Sequence, residues 1–118
     1  MLPASNRLRL GQDFSRTTKT GHRATSHLLV LYFLTHADLP VEPQVGFIIN
    51  KSIGGSVTRH RVARQLRHAI SGYLSELPRH TQIVIRVLKK EDDYRADLST
   101  LMAKVIERSN LNQSGANQ

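Results

Sequence analysis

The chain has no cysteine and no tryptophan, and its 118 residues include only three phenylalanines and three tyrosines. Without cysteine there is neither a disulfide framework nor a thiolate metal site, which suits a reducing compartment and makes the cytoplasm the expected location. No apolar run approaches the roughly 18 residues that a membrane span needs. Arg7 and Arg9 have no apolar stretch behind them, so no secretory signal is read, and no lipidation pattern is visible. Acids are scarce as well: nine Asp and Glu stand against seventeen Lys and Arg, a net charge of +8 with a pI near 10.6. Between positions 43 and 75 there is no acid at all. Such an excess points to a polyanionic partner, because cations that neutralise phosphates release condensed counterions.

Motifs for protein-borne chemistry are missing too. The six histidines (His22, His27, His36, His60, His68 and His80) form no His-x-x-x-His pair and no His-Glu-x-x-His motif. No P-loop and no Gly-x-Ser-x-Gly elbow occurs. The one acidic cluster, Glu91-Asp92-Asp93, precedes a helical pattern, and acids there favour a helix N-terminus more readily than a magnesium site. No catalytic residue and no metal ligand is therefore expected on the protein.

What is present fits one small domain over residues 1–109, followed by a polar tail over 110–118 expected to be disordered. An extended arm over residues 1–10 leads into a short helix over 12–20 that Gly21 would end, although Thr17, Thr18 and Thr20 are poor helix formers. Residues 27–35, 44–50 and 81–88 read as strands. In the third, Ile83, Ile85 and Val87 share one face, and Val84, Arg86 and Leu88 the other. Tyr94, Leu98, Leu101, Met102, Val105 and Ile106 recur at helical spacing, with Asp92 or Asp93 placed to cap the helix. The order of helix, strands, helix, strand, helix implies an α+β fold.

The richest segment is Lys51-Ser-Ile-Gly-Gly-Ser-Val-Thr-Arg-His-Arg-Val-Ala-Arg-Gln-Leu-Arg67. On a helix, Val62, Leu66, Ala69, Ile70 and Tyr73 form a core-facing stripe, while His60, Arg61, Arg64, Arg67 and His68 gather opposite. A solvated face would normally intersperse acids for i,i+4 pairing, and none is available here, so this face repels itself unless a polyanion covers it. Ser56 is placed as N-cap, near a helix start that offers free N–H groups to anions. The same wheel turns Arg59 toward the apolar side and Val57 outward, which leaves the helix start between Val57 and His60.

The pattern Lys51-x-x-Gly54-x-x-Val57-x-Arg59-His60-Arg61-x-x-Arg64-x-x-Arg67 resembles the signature of the protein component of bacterial ribonuclease P. Arg7-Leu-Arg-Leu-Gly-Gln-Asp13-Phe14 followed by Gly21, together with Leu29-Val-Leu-Tyr32 and Val45-Gly46-Phe-Ile-Ile-Asn-Lys51, extends the resemblance over roughly residues 7–108. Three positions depart from the family pattern: His60 replaces its Asn, Ala63 its Lys, and Thr18 a second aromatic four residues after Phe14.

The resemblance implies an α-β sandwich in which a four-stranded sheet carries a left-handed βαβ crossover, related to a ribosomal-protein fold. It implies an accessory subunit of an RNA enzyme that removes the 5′ leader of precursor tRNA, with Mg2+ held mainly by the RNA. On this basis Lys51, Arg59, His60, Arg61, Arg64, Arg67 and His68 would bind the catalytic RNA. Phe14, Tyr32, Arg7 and Arg9 would hold the leader, the two rings having simple core packing as their alternative role. No membrane or DNA partner is expected. The rival readings are a ribosomal-type RNA-binding protein, a DNA-binding protein with Gln65 as its one base-reading amide, and a self-sufficient nuclease.

Overall fold

A strand with Ile83, Ile85 and Val87 on one side and Val84 and Arg86 on the other separates two different environments. The computed structural model, which describes residues 3–8 and 11–116, places a layer on each face. In chain order the elements are α1 (Gly11–Thr20), β1 (His22–Thr25), β2 (Leu29–Thr35), β3 (Gln44–Ile48), α2 (Ser56–Ser71), β4 (Thr81–Val87) and α3 (Arg95–Ala116). They form an α+β domain around a four-stranded mixed sheet of order β1-β2-β4-β3. The pairs β1–β2 and β2–β4 are antiparallel, whereas β3 and β4 are parallel and are joined by the α2 crossover.

Pairing register sorts the side chains. Leu29, Leu31 and Phe33 stand opposite Val87, Ile85 and Ile83, and the last two stand opposite Phe47 and Val45. This face carries the core, closed by Val62, Leu66 and Ile70 of α2 and by Leu98, Leu101, Met102 and Val105 of α3. The other face is partly covered by α1, which seats its buried Thr17 on the sheet: the Thr17 hydroxyl donates to Gln82 Oε1 at 3.2 Å, and Gln82 Nε2 donates to Gln44 Oε1 at 3.1 Å. The other threonines that weigh against this helix turn their hydroxyls inward along it, Thr18 to the Phe14 carbonyl and Thr20 to that of Arg16.

Strand β1 has no counterpart among the three strands that apolar pattern identifies, because its sequence HRAT lies at the sheet edge and is largely exposed. Strand β2 begins at Leu29 because Ser26 and Leu28 form the turn before it. The Ser26 N–H donates to the Leu29 carbonyl at 2.9 Å, and the Leu28 N–H to Asp97 Oδ2 at 2.9 Å. Helix α2 starts one residue earlier than an N-cap at Ser56 would allow. Gly55 occupies the cap position with no side-chain hydrogen bond, and Ser56 is already helical. The chain enters that cap through Gly54, whose φ of 155° suits glycine alone and whose hypothetical Cβ would lie 2.9 Å from Thr58 Cβ. Asp93 caps α3 by accepting the Arg95 N–H at 2.9 Å. That helix continues to Ala116, past position 110 where the sequence reading begins its tail, since no proline or glycine interrupts it before Gly115. Residues 117–118 lie outside the described residues.

The Ser26 hydroxyl and the Leu28 N–H hold the Asp97 carboxyl below its ordinary value of 3.8. An acid depressed on folding contributes stability above its unfolded pKa and loses it as pH falls through the folded value. Asp97→Asn should therefore lower the melting temperature at pH 7, with the difference from wild type shrinking below about pH 4. Thermal unfolding of both proteins across pH 3–7 measures this, and a constant difference would assign the effect to packing.

Candidate nucleic-acid interface

Helix α2 presents three stripes. Val62, Leu66 and Ile70 are buried, and Ala69 and Tyr73 are half-buried beside them. Val57, Arg61, Arg64 and His68 follow one another at i, i+4, i+7 and i+11 and are all exposed, Val57 to 83%. Between these two lies a third stripe of Ser56, Arg59, His60, Ala63 and Arg67, which forms one wall of a cleft. The cationic face expected from the wheel is thus divided. Arg61, Arg64 and His68 look outward, whereas His60 and Arg67 turn with half-buried Arg59 toward the cleft.

The cleft encloses about 370 Å³, and its opposite wall is built from Arg7, Leu8 and Phe14 over Gly46 and Ile49 of the β3 edge. The arm is held there by backbone pairing. Arg7 bridges to Val45 in parallel, Leu8 N–H donates to the Val45 carbonyl at 2.9 Å, and buried Asn6 donates through Nδ2 to the Pro43 carbonyl at 2.7 Å. Phe14 lies directly on the strand: a Cβ at Gly46 would stand 2.3 Å from Phe14 Cζ. Only glycine permits that approach.

Tyr32 does not line this cleft. It stands two strands away in the row Arg23–Tyr32–Val84–Gly46 that crosses the whole sheet, half-buried on the face that α1 partly covers. Phe14 and Tyr32 therefore mark two ends of one surface, with Val84 between them. Lys51 is exposed in the 3-10 turn Lys51–Ile53, outside the cleft, and Arg9 lies outside the described residues.

Two arginines call for a partner. The Nε atoms of Arg59 and Arg86 are shielded from solvent and have no hydrogen-bond partner among the described residues, a state that is costly for a donor. Arg86 sits opposite Val30 and Ile48 on the face that α1 partly covers. The pattern of its strand places it opposite the core face, but its role is not legible there. A lone arginine in the run TQIVIRVL is the available signal. Gly46 and Arg23 are likewise invisible without the register.

The acids are engaged elsewhere. Asp93 holds Arg95 through both carboxylate oxygens, and that guanidinium keeps its carboxyl below the ordinary range. Tyr94 closes the loop, accepting the Glu91 N–H and donating to the Lys89 carbonyl, each at 2.8 Å, and its burial raises the phenol's pKa. Among the described residues no group of three or more His, Asp or Glu is arranged to hold a metal ion, and no helix is long and apolar enough to cross a membrane.

A family model described as Ribonuclease P matches residues 2–109. The chain is 37% identical over 123 residues to the ribonuclease P protein component of Mycolicibacterium gilvum, covering 98% of both chains. It is 42% identical over 88 residues to that of Mycobacterium sp. (strain KMS), covering 75% of each. The fold is similar to that of the RNase P protein of Staphylococcus aureus, with a TM-score of 0.65 at 21% identity over 87% of this chain and 90% of that one. The RNase P protein of Thermotoga maritima gives 0.61 at 20% identity over 89% and 93%.

The contact between Phe14 and Gly46 yields a direct test of the cleft's construction. Gly46→Ala should displace the ring and destabilise the fold by about 1–3 kcal/mol, the usual cost of overpacking. Urea unfolding measures it; an unchanged midpoint would mean that Phe14 does not rest on the strand.

Proposed function

The chain belongs to the ribonuclease P protein family, and from that premise we propose that it binds the catalytic RNA through α2 and the 5′ leader of precursor tRNA beside Phe14. The observation that carries this reading is the cleft. The rings of Phe14 and Phe47, an apolar floor and the cations Arg7, Arg59 and Arg67 line the same opening, the combination that a single-stranded nucleic acid requires.

Each part has its own task. The exposed stripe of Arg61, Arg64 and His68, with Lys51 at its head, meets the phosphates of the catalytic RNA, and the fork of a guanidinium suits a phosphate better than an ammonium does. Arg59 and Arg67 neutralise leader phosphates inside the cleft, and the orphaned Nε of Arg59 finds its acceptor there. His60 adds a ring nitrogen on the same wall. A base laid on Phe14 gains about 1–3 kcal/mol whatever its identity, as a subunit serving many leaders requires. Tyr32 and Arg86 extend the surface across the outer face of the sheet.

Mg2+, held mainly by RNA phosphates, would activate the water that cleaves the phosphodiester at the mature 5′ end. Among the described residues the acids are not grouped to hold that ion, and no step is assigned to a protein ligand. The protein's contribution is to position the leader and raise substrate affinity within a cytoplasmic ribonucleoprotein.

Cleavage of precursor tRNA at low magnesium should occur at the mature 5′ end only when the cognate catalytic RNA and this protein are combined. Activity of the protein alone would overturn the division of labour. Failure to stimulate the RNA, with co-purification on ribosomal particles, would favour the ribosomal-type reading. Arg61→Ala or Arg64→Ala should weaken binding to the catalytic RNA and reduce the slope of log affinity against log salt by about 1. Unchanged affinity and slope would remove the outer stripe from the interface. Phe14→Ala should loosen precursor tRNA roughly tenfold, within the range of one lost base stack, and leave mature tRNA unaffected. Equal loss for both would take Phe14 out of leader binding.

A further inference from the structure

A second groove lies at the opposite edge of the sheet from the cleft. It encloses about 420 Å³ between β1 and the end of α3, with His22, Arg23, Thr25, Lys104, Glu107 and Arg108 around it and the Phe33 ring at its base. Its rim is exposed. Among the described residues, Arg23, Lys104 and Arg108 have no ion-pair partner, and Glu107 is the one acid that lines the groove.

One row of the sheet leads from the cleft toward the groove. The row Gly46–Val84–Tyr32–Arg23 begins under Phe14 and ends on β1, whose opposite face, toward α3, carries the groove; it crosses three strand spacings, or about 14 Å. Helix α1 seats Thr17 on Gln82 in the neighbouring row, and along this one Val84 is buried, Tyr32 half-buried and Arg23 exposed. A strand that leaves Phe14 along the row meets the Tyr32 ring next, then the Arg23 guanidinium, and then the two cations of α3.

We propose that the distal part of the leader follows this row over the β1 edge, and that Arg23, Lys104 and Arg108 hold its backbone phosphates. The inference rests on the reading of Phe14 as the leader's first anchor, and it adds a second anchor at the other end of the sheet. A peptide strand paired to the free edge of β1 is the competing occupant. Charged side chains along an edge oppose such pairing, whereas three cations around a shallow groove match a polyanion.

The test uses the holoenzyme reconstituted with its cognate catalytic RNA. Its ligands are mature tRNA, a precursor whose leader is too short to pass Phe14, and one whose leader is several times longer. Arg23→Ala/Lys104→Ala/Arg108→Ala should raise the Kd of the long-leader precursor roughly tenfold and reduce its salt slope by about 2, from three lost contacts to a single strand. The short-leader precursor and mature tRNA should bind as before, and the Arg23→Lys/Arg108→Lys variant should retain most of the long-leader affinity. Equal loss for all three ligands would overturn the inference by placing these cations against the tRNA body or the catalytic RNA. No loss for any ligand would also overturn it and leave the edge to a protein partner. Phe14→Ala, measured in parallel, separates the two levels. If it loosens both precursors while the triple variant does nothing, the second anchor alone falls; if it shows no dependence on a leader, the leader reading itself falls.

Discussion

Burial of Val62, Leu66 and Ile70 against the inner face of the sheet fixes the roll of α2, and the positions of every other side chain on that helix follow from it. Three fully buried aliphatic side chains contribute about 5–9 kcal/mol together, as much as the whole net stability of many domains of this size. Repulsion between neighbouring exposed cations costs only a few tenths of a kcal/mol per pair. The apolar seating therefore wins by an order of magnitude, and the cations are displayed whether or not anything neutralises them. A surface that repels itself is maintained by a core that does not depend on it.

The second constraint is the approach of Phe14 to Gly46. With no Cβ on the strand, the ring of Phe14 can lie on the backbone of β3 while the rest of α1 packs across the central strands β2 and β4. The helix seats buried Thr17 on the row of Gln44, Gln82 and Leu34, and in the next row Val84 is buried and Tyr32 half-buried. The outer face thereby carries the Phe14 ring over β3, Tyr32 on β2 and Arg86 on the strand between them.

Much of this was legible in the sequence because burial is periodic. The apolar run of β4 and the four-residue spacing in α2 pointed to a sheet with a helix packed on it, and the wheel placed Val57 outward and Arg59 inward, as they are found. Strand β1 escaped that reading because an exposed edge strand needs no alternation. The split of the cationic face into two stripes escaped it too. A helical wheel distinguishes buried from exposed but does not locate the second wall, which here is supplied by Arg7, Leu8 and Phe14 through contacts distant in sequence. Tyr32 and Phe14 were paired by resemblance alone. Only the register reveals that they are separated by Val84 and lie along one row.

The two occupied stripes give α2 a particular position in the proposed assembly. Arg61 and Arg64 face one partner while Arg59, His60, Ala63 and Arg67 face the cleft, so one rigid helix touches the catalytic RNA and the substrate on adjacent sides. The three departures from the family pattern are not spread evenly over these surfaces. His60 and Ala63 both line the cleft, and Thr18 sits one turn from Phe14, with its hydroxyl on that residue's carbonyl. The outward stripe keeps both of its arginines. Exchanging a lysine for Ala63 removes a long cation from the wall and widens the opening, exchanging an asparagine for His60 replaces an amide with a larger ring, and Thr18 leaves Phe14 as the one aromatic that α1 brings to the cleft. On the proposed reading, the face toward the catalytic RNA follows the family while the face toward the leader has been reshaped. Its selectivity then depends on fewer stacked bases and more on phosphate contacts.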